Sequence, residues 1–277
     1  MRDAFVGVLT ELAAQHPELM LLTGDLGFGV LVNFSAQFPR QFLIVGVAEQ
    51  NMSGLAAGLA LEGHSVFTYS IGNFPTLRCL EQIRNDICYH GANVTIVCVG
   101  GGMSYGPVGM SHHATEDLAI LRSLPGLEVF APGDLWEASE ASRHLASRPH
   151  GPAWSASPKI PPAADQLAEQ GVRCRVLSVH TVKPLDTATL SIAAAETQGI
   201  VSIEEHAVDG GLGGAIAEAL MEAGISPGFF VRIGLRNTFS SVVGSQAYLR
   251  TVYSIDAASI VRTVSLKLGI AEEAISR

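Results

Sequence analysis

Short apolar runs in this chain alternate with longer stretches of helical periodicity, and this alternation limits the fold more than any other feature. Leu19 to Thr23, Phe42 to Val45, Ser65 to Ser70, Val94 to Val99 and Leu127 to Phe130 are apolar runs that read as buried strands. Between them, Arg2 to His16, Glu49 to Leu61, Leu77 to Tyr89 and Thr115 to Ser123 read as helices, and Pro132-Gly133-Asp134 caps another through Leu145. Parallel strands need crossover connections, and helices fill that role while covering the two faces of the sheet. The expected class is therefore α/β, with a mostly parallel sheet covered by helices. Ligands in such sheets bind beyond the carboxyl ends of the strands. The loops after Thr23, Val45, Ser70 and Val99 fall at those ends.

The texture changes between Ser147 and Ala164, where five prolines are set among small residues. A domain boundary is expected there: residues 1–150 form one domain, 151–163 a linker and 164–277 a second domain. The second half repeats the alternation. Helices are expected at Ala164 to Gln170, Thr187 to Thr197, Leu212 to Ala223 and Asp256 to Leu268. Strands are expected at Arg173 to Ser178, Ile200 to Glu204 and Phe229 to Ile233.

Several function classes are disfavoured by composition. A net charge of −9 argues against a nucleic-acid partner, whose affinity rests on Lys and Arg neutralising phosphates. No apolar run reaches the length of a membrane span, and Met1-Arg2-Asp3-Ala4-Phe5 is not a signal-peptide start, so a cytoplasmic location is expected. Cys79, Cys88, Cys98 and Cys174 lack metal-ligand spacing, lie in segments that read as buried, and are expected to be free thiols. With 48% hydrophobic and only 16% charged residues, part of the apolar surface is expected to lie under another subunit.

One carboxylate stands out. Glu49 sits where the Phe42 strand turns through Gly46 into an Ala/Gly/Leu-rich helix that reads as packed on nearly all sides, with no basic residue close in sequence. A carboxyl group in such a place must be hydrogen-bonded, paired or protonated. The alternative is that it only favours the first helical turn. The turn Gly24-Asp25-Leu26-Gly27-Phe28-Gly29 lacks the order of a phosphate-binding fingerprint.

The chain resembles the C-terminal half of a transketolase, of the kind encoded as a separate subunit. The landmarks are Gly46-Val47-Ala48-Glu49-Gln50-Asn51-Met52, Asp86 after Glu81-Gln82-Ile83-Arg84-Asn85, and Ser111-His112-His113. They continue with Ala131-Pro132-Gly133-Asp134, His180-Thr181-Val182-Lys183-Pro184-Leu185-Asp186, and Glu204-Glu205-His206 followed by Gly210-Gly211-Leu212-Gly213. The resemblance covers nearly the whole chain and implies a pyrimidine-binding domain followed by a transketolase C-terminal-like domain. It implies thiamine diphosphate as cofactor, with the aminopyrimidine half bound here and Mg²⁺ and the diphosphate held by a partner subunit. It implies transfer of a two-carbon ketol unit from a ketose to an aldehyde-type acceptor, by an α2β2 heterotetramer acting on small sugar-like substrates.

The same resemblance assigns roles. Glu49 matches the glutamate that hydrogen-bonds the pyrimidine ring nitrogen, a task for a carboxyl in a dry pocket that can share a proton. Phe74, with Phe67 and Tyr69 as alternatives, matches the aromatic that stacks on the pyrimidine; otherwise these are core aromatics. Arg78 matches an arginine near substrate phosphate in deoxyxylulose-phosphate synthases, or is a solvated helix charge. His112 matches the histidine that contacts the donor near the reacting carbon. His113 is a weaker substrate candidate or a helix cap. Asp25 and Leu26 resemble the first cofactor-facing turn, with a helix cap as the alternative for Asp25. His180 and His206 are expected to be structural or interface residues.

Departures from the family pattern matter too. No Gly-Asp-Gly with a downstream Asn is present, so the diphosphate site must come from a partner chain. Set against the family pattern, residues are missing before the Ala164 helix, which shortens the second domain and removes an arginine that commonly binds sugar phosphate. Val108 replaces the usual Asp four residues before the histidine, and Gly29 replaces a phosphate-contacting serine. With fewer polar groups, selection for a standard pentose phosphate is expected to be weak. Competing readings are a 2-oxo acid dehydrogenase β subunit, a deoxyxylulose-phosphate-synthase-like enzyme, and a non-catalytic scaffold or regulatory subunit.

Overall fold

The computed structural model describes residues 2–27, 29–147, 153–155 and 163–270. In chain order the elements are α1 (Arg2–Ala13), β1 (Leu19–Thr23), α2 (Val32–Gln37), β2 (Phe42–Ile44), α3 (Glu49–Leu61), β3 (Ser65–Ile71), α4 (Leu80–Gln82) and β4 (Val94–Val99). There follow α5 (Asp117–Arg122), β5 (Glu128–Phe130), α6 (Leu135–Ser147), β6 (Ala153–Ser155), α7 (Ala163–Glu169) and β7 (Thr181–Lys183). The chain ends with α8 (Thr187–Glu196), β8 (Ile200–Ala207), α9 (Leu212–Glu222), β9 (Phe230–Leu235), α10 (Gln246–Val252) and α11 (Ala257–Leu268). Two compact units emerge, each assembled from several stretches of chain. The first comprises residues 1–101, 120–157 and 180–184; the second comprises 102–119, 158–179 and 185–277.

The first unit is built on a seven-stranded sheet of order β2-β1-β3-β4-β6-β5-β7, parallel except for β7, which runs antiparallel to β5. β1, β3 and β4 are buried almost throughout, as expected of strands with both faces covered. Helix α1 buries Phe5, Val6, Val8 and Leu9, and the core continues through Leu21, Phe34, Phe67, Tyr69 and Phe130. Asp134 accepts from Glu137 N at 2.8 Å and so caps α6. The β7 edge is tied by Ala131 N donating to His180 O at 2.6 Å and by Lys183 Nζ donating to the carbonyls of Arg122 and Leu124. Burial lowers the Lys183 pKa, in keeping with an ammonium held against carbonyls below the surface.

The second unit holds a parallel pair, β8 with β9, in register from Ile200↔Phe230 to Ile203↔Ile233. Successive side chains of the pair enter opposite cores. Val201, Ile203, Val231, Ile233 and Leu235 join a cluster with α7, α10 and α11, while Ile200 and Phe230 join α8 and α9 around Leu190 and Ile216. Asp186, Ser245 and Asp256 cap α8, α10 and α11 by accepting from the backbone N–H of Thr189, Tyr248 and Ser259.

Four expectations are corrected. β2 is not buried: it is the sheet's edge, paired only with β1, and Ile44 is 61% exposed. Helix α3 is not packed all round. It buries one stripe, Glu49, Met52, Ser53, Ala56 and Ala57, and leaves Leu55 and Leu61 outside. The segment from Leu77 is not one α-helix, since α4 passes into a π-helical turn at Ile83–Cys88, where Tyr89 N reaches back to Arg84 O. Arg173 to Ser178 forms no strand, because β8–β9 offers it no paired edge and Val176 is left 67% exposed. The cysteines are free, with Cys79 and Cys98 buried and Cys88 half-buried, but Cys174 is exposed because it lies in that unpaired stretch.

Candidate active site

Three adjacent parallel strands of the first unit deliver their carboxyl ends to one place. After β2, Gly46 adopts φ +82°, which turns the chain so that α3 begins at Glu49. Glu49 is 3% exposed. From the end of β3, Ser70 Oγ donates to Glu49 Oε1 at 3.3 Å. From the end of β1, Gly24 faces the same carboxylate; a Cβ there would lie 3.4 Å from Glu49 Oε1 and 3.4 Å from Gly46 O. Oε2 is buried and has no hydrogen-bond partner among the described residues.

The cation that the local sequence lacks arrives through the fold. Arg78 Nη1 lies 3.9 Å from Glu49 Oε2, and its guanidinium sits 5.9 Å from the centroid of the Phe74 ring. Arg78 is exposed, so water screens this pairing and leaves Oε2 short of a partner at bonding distance. Behind them Cys79 is buried; burial, and next the charge of Glu49, push its thiol pKa up, which marks it as an inert wall rather than a nucleophile.

Of the residues singled out in the sequence, the structure brings Glu49, Arg78 and Phe74 together. Phe67 and Tyr69 lie in the core, each with its ring 6.2 Å from that of Phe5, Tyr69 nearly parallel to it. Asp25 is exposed and caps no helix, since α2 begins after Leu31 with no side-chain cap. Leu26 packs against the first unit's core. Ser70 and the closeness of Gly24 to Glu49 are not evident from sequence reasoning. The available signal was that both end strands whose carboxyl ends must converge.

His112 and His113 belong to the second unit. His112 is half-buried, with Nδ1 3.0 Å from Ser111 Oγ. His113 is buried and caps no helix: its Nδ1 lies 2.7 Å from Ser240 Oγ and 3.0 Å from Ser240 O, and its Nε2 lies 3.4 Å from Gly106 O. The loop carrying these histidines leads to Asp117, whose Oδ1 is 3.3 Å from His206 Nε2, off hydrogen-bonding geometry. His180 is exposed.

Burial pushes Asp117 well above the usual carboxylate range and His206 down to about 3, so both stand neutral in the fold. For His206 the unfolded ring titrates near 6.5 and the folded ring near 3, so stability present above pH 6.5 is lost as pH falls through that window. Asp117 acts in the opposite sense, since its raised pKa favours the fold at low pH. His206→Gln is expected to flatten the acid-side fall of the urea midpoint between those two values. An unchanged slope would show that other groups carry the acid sensitivity.

Comparisons with known proteins follow the same division of the chain. The family model for the transketolase pyrimidine-binding domain matches residues 1–159, and that for the transketolase C-terminal domain matches residues 158–260. One of the two subunits of an apulose-4-phosphate transketolase from Phocaeicola vulgatus is 32% identical over 80% of this chain and 83% of its own length. The 6-deoxy-6-sulfo-D-fructose transketolase subunit SqwH from a Clostridium species is 32% identical over 95% of this chain and 92% of its own. A solved chain described as a split gene transketolase, inactive beta4 tetramer, superposes with a TM-score of 0.85 at 30% identity, covering 97% of this chain and 98% of that one. The chain belongs to the transketolase family, and within it to the split form in which the pyrimidine-binding and C-terminal domains make up a separate subunit.

Proposed function

We propose that this chain is the pyrimidine-binding subunit of a two-carbon ketol transferase and turns over only with a partner that holds Mg²⁺ and the diphosphate of thiamine diphosphate. The observation that carries this reading is the orphaned, buried Oε2 of Glu49. An acid there, steadied by Ser70 on its other oxygen, fits an aminopyrimidine ring nitrogen as its missing partner. When bound, thiamine diphosphate supplies the carbanion stabilisation that ketol transfer needs.

The chain's own residues would bind and orient. Glu49 holds and shares a proton at the ring nitrogen; Gly24 leaves room beside it; Asp25 and Leu26 flank the entry. Phe74 offers a ring face at the rim, a task for which Phe67 and Tyr69 are poorly suited by their packing on Phe5. Arg78, exposed beside Phe74, suits an anionic group on the substrate. His112 meets the donor near its reacting carbon, and His113 steadies it through Ser240.

Along the sequence we assign residues 1–150 to the pyrimidine-binding domain, 151–163 to a linker and 164–277 to a shortened C-terminal-like domain. Segments 102–119 and 180–184 are exchanged between the compact units. Among the described residues, no helix is long and apolar enough to cross a membrane. Exposed Ile44, Val47, Leu55 and Leu61 around β2 and α3 support a covering subunit, and we propose a cytoplasmic α2β2 assembly. Relatives named for apulose-4-phosphate and 6-deoxy-6-sulfo-D-fructose support a ketose donor.

The test is to co-purify this chain with the neighbouring Gly-Asp-Gly…Asn chain, add thiamine diphosphate and Mg²⁺, and screen ketose donors. Ketol transfer that needs both chains is the expected result. Acyl transfer to a lipoyl acceptor, or no turnover with any ketose, overturns the proposal.

A further inference from the structure

The second unit contains a buried carboxylate that the proposed chemistry does not use. Glu205 is 3% exposed and sits in the middle of β8. It accepts from Met103 N at 3.2 Å, from Gln246 Nε2 at 2.8 Å and 3.1 Å, and from Arg250. Three elements that are remote in sequence, the loop at Met103, the strand and α10, therefore share one charge. Its neighbours along β8 do similar work. His206 lies against Asp117, and Ala207 N donates to Thr115 O at 2.6 Å.

These contacts grip both ends of a single loop. Gly102 and Ala114 exchange reciprocal backbone hydrogen bonds at 2.9 Å, closing residues 102–114 into a ring. Met103 at the start of the ring, and Thr115 and Asp117 just after it, are the points held by β8. Gly102 has φ +62°, and a Cβ on it would lie 2.6 Å from Glu205 Cβ, so no side chain fits between the loop and the strand. The middle is pinned as well: a Cβ on Gly106 would lie 2.3 Å from Gly244 O, and His113 is bonded to Ser240. His112, half-buried, is carried by this tethered ring.

We propose that Glu205 is a positioning residue that latches the 102–114 loop and thereby sets the place of His112. This rests on the reading that His112 contacts the donor substrate. A buried carboxylate spanning three segments is costly unless all its bonds are made, and once they are made it is rigid. A shift of the loop by about 1 Å would cost His112 much of its effect on a substrate atom.

The test uses the complex of both chains with thiamine diphosphate and Mg²⁺, comparing Glu205→Gln, His112→Gln and the double variant. Glu205→Gln is expected to speed hydrogen exchange of backbone amides 102–114 about tenfold or more, the scale of one lost hydrogen bond to a charged group. Amides of β3 and β4 should keep their rates. Donor kcat/KM should fall by a similar factor while the affinity for thiamine diphosphate stays within about twofold. In the His112→Gln background the second change should cost almost nothing further, because both act through one group. Equal losses in both backgrounds, or unchanged exchange in the loop, overturn the latch alone. Wild-type turnover in His112→Gln overturns the substrate-contact reading and the latch with it. Gln246→Ala, which removes two of the bonds to Glu205 with less risk to folding, should show the same pattern at smaller size.

Discussion

Glu49→Ala is expected to lower kcat of the assembled enzyme by about three orders of magnitude, within the range for removing a proton-transfer group. Stability should not fall with it. A buried carboxyl oxygen without a hydrogen bond is a cost to the fold, so its removal offsets the loss of the Ser70 contact. The thermal midpoint is expected to hold or rise, the usual sign of a residue kept for chemistry at the expense of packing. Glu49→Gln separates shape from proton sharing, since it keeps the volume and an acceptor for Ser70 yet should be nearly as inactive. Both quantities come from one preparation, by turnover with a ketose donor and by calorimetry. Retained turnover in either variant would remove Glu49 from the mechanism. A collapse in stability would instead make it a structural acid.

Gly211→Ala is expected to be the most damaging single methyl group in the second unit. Glu204 accepts from Leu212 N at 2.8 Å and Gly213 N at 2.9 Å, so this buried carboxylate satisfies the first amides of α9. A Cβ on Gly211 would lie 2.2 Å from Glu204 Oε2 and 2.4 Å from Ala207 O. The second of these is backbone in a paired strand and cannot swing aside. Either α9 lifts off β8 or the carboxylate is displaced from its two donors, and we expect a loss of about 3 kcal/mol or more. Gly54→Ala in α3 is the control, because a Cβ there meets nothing within 4 Å. It should be neutral or stabilise by about 0.5–1 kcal/mol. Urea unfolding of the two variants checks both signs. Comparable midpoints would mean that α9 accommodates the methyl group.

Periodicity made the architecture legible, because a buried strand and an amphipathic helix leave different spacings of apolar residues. What it could not supply was position within a sheet. Phe42-Leu43-Ile44 is apolar enough for a central strand, yet it forms an edge, and nothing local to those residues distinguishes the two. Arg173 to Ser178 failed for the converse reason, having the pattern of a strand without a partner to pair with. In the site, Glu49 was legible because a carboxyl group among Val, Ala and Leu is chemically out of place. Arg78 was legible as a charge but not as that carboxylate's neighbour, since the loop from Ile71 to Arg78 must close before the two meet. Ser70 is an ordinary polar residue at a strand end, and only the third dimension gives it a carboxylate to bond. Glu204, Glu205 and His206 were visible as a motif, but the loop and helix termini they hold lie up to about a hundred residues away.

The strand order of the first unit has a consequence for synthesis of the chain on the ribosome. β7 closes the β5 edge, yet it lies beyond α7, which belongs to the second unit. The nascent chain must therefore extend past Lys183 before the first sheet can acquire its last strand and the Lys183 tether to Arg122 and Leu124. Until then β5 presents an open edge, the kind of surface that recruits other strands during folding. Fragments that stop near residue 159 keep that edge exposed permanently. They should aggregate where the full chain does not, however closely their length matches a domain boundary.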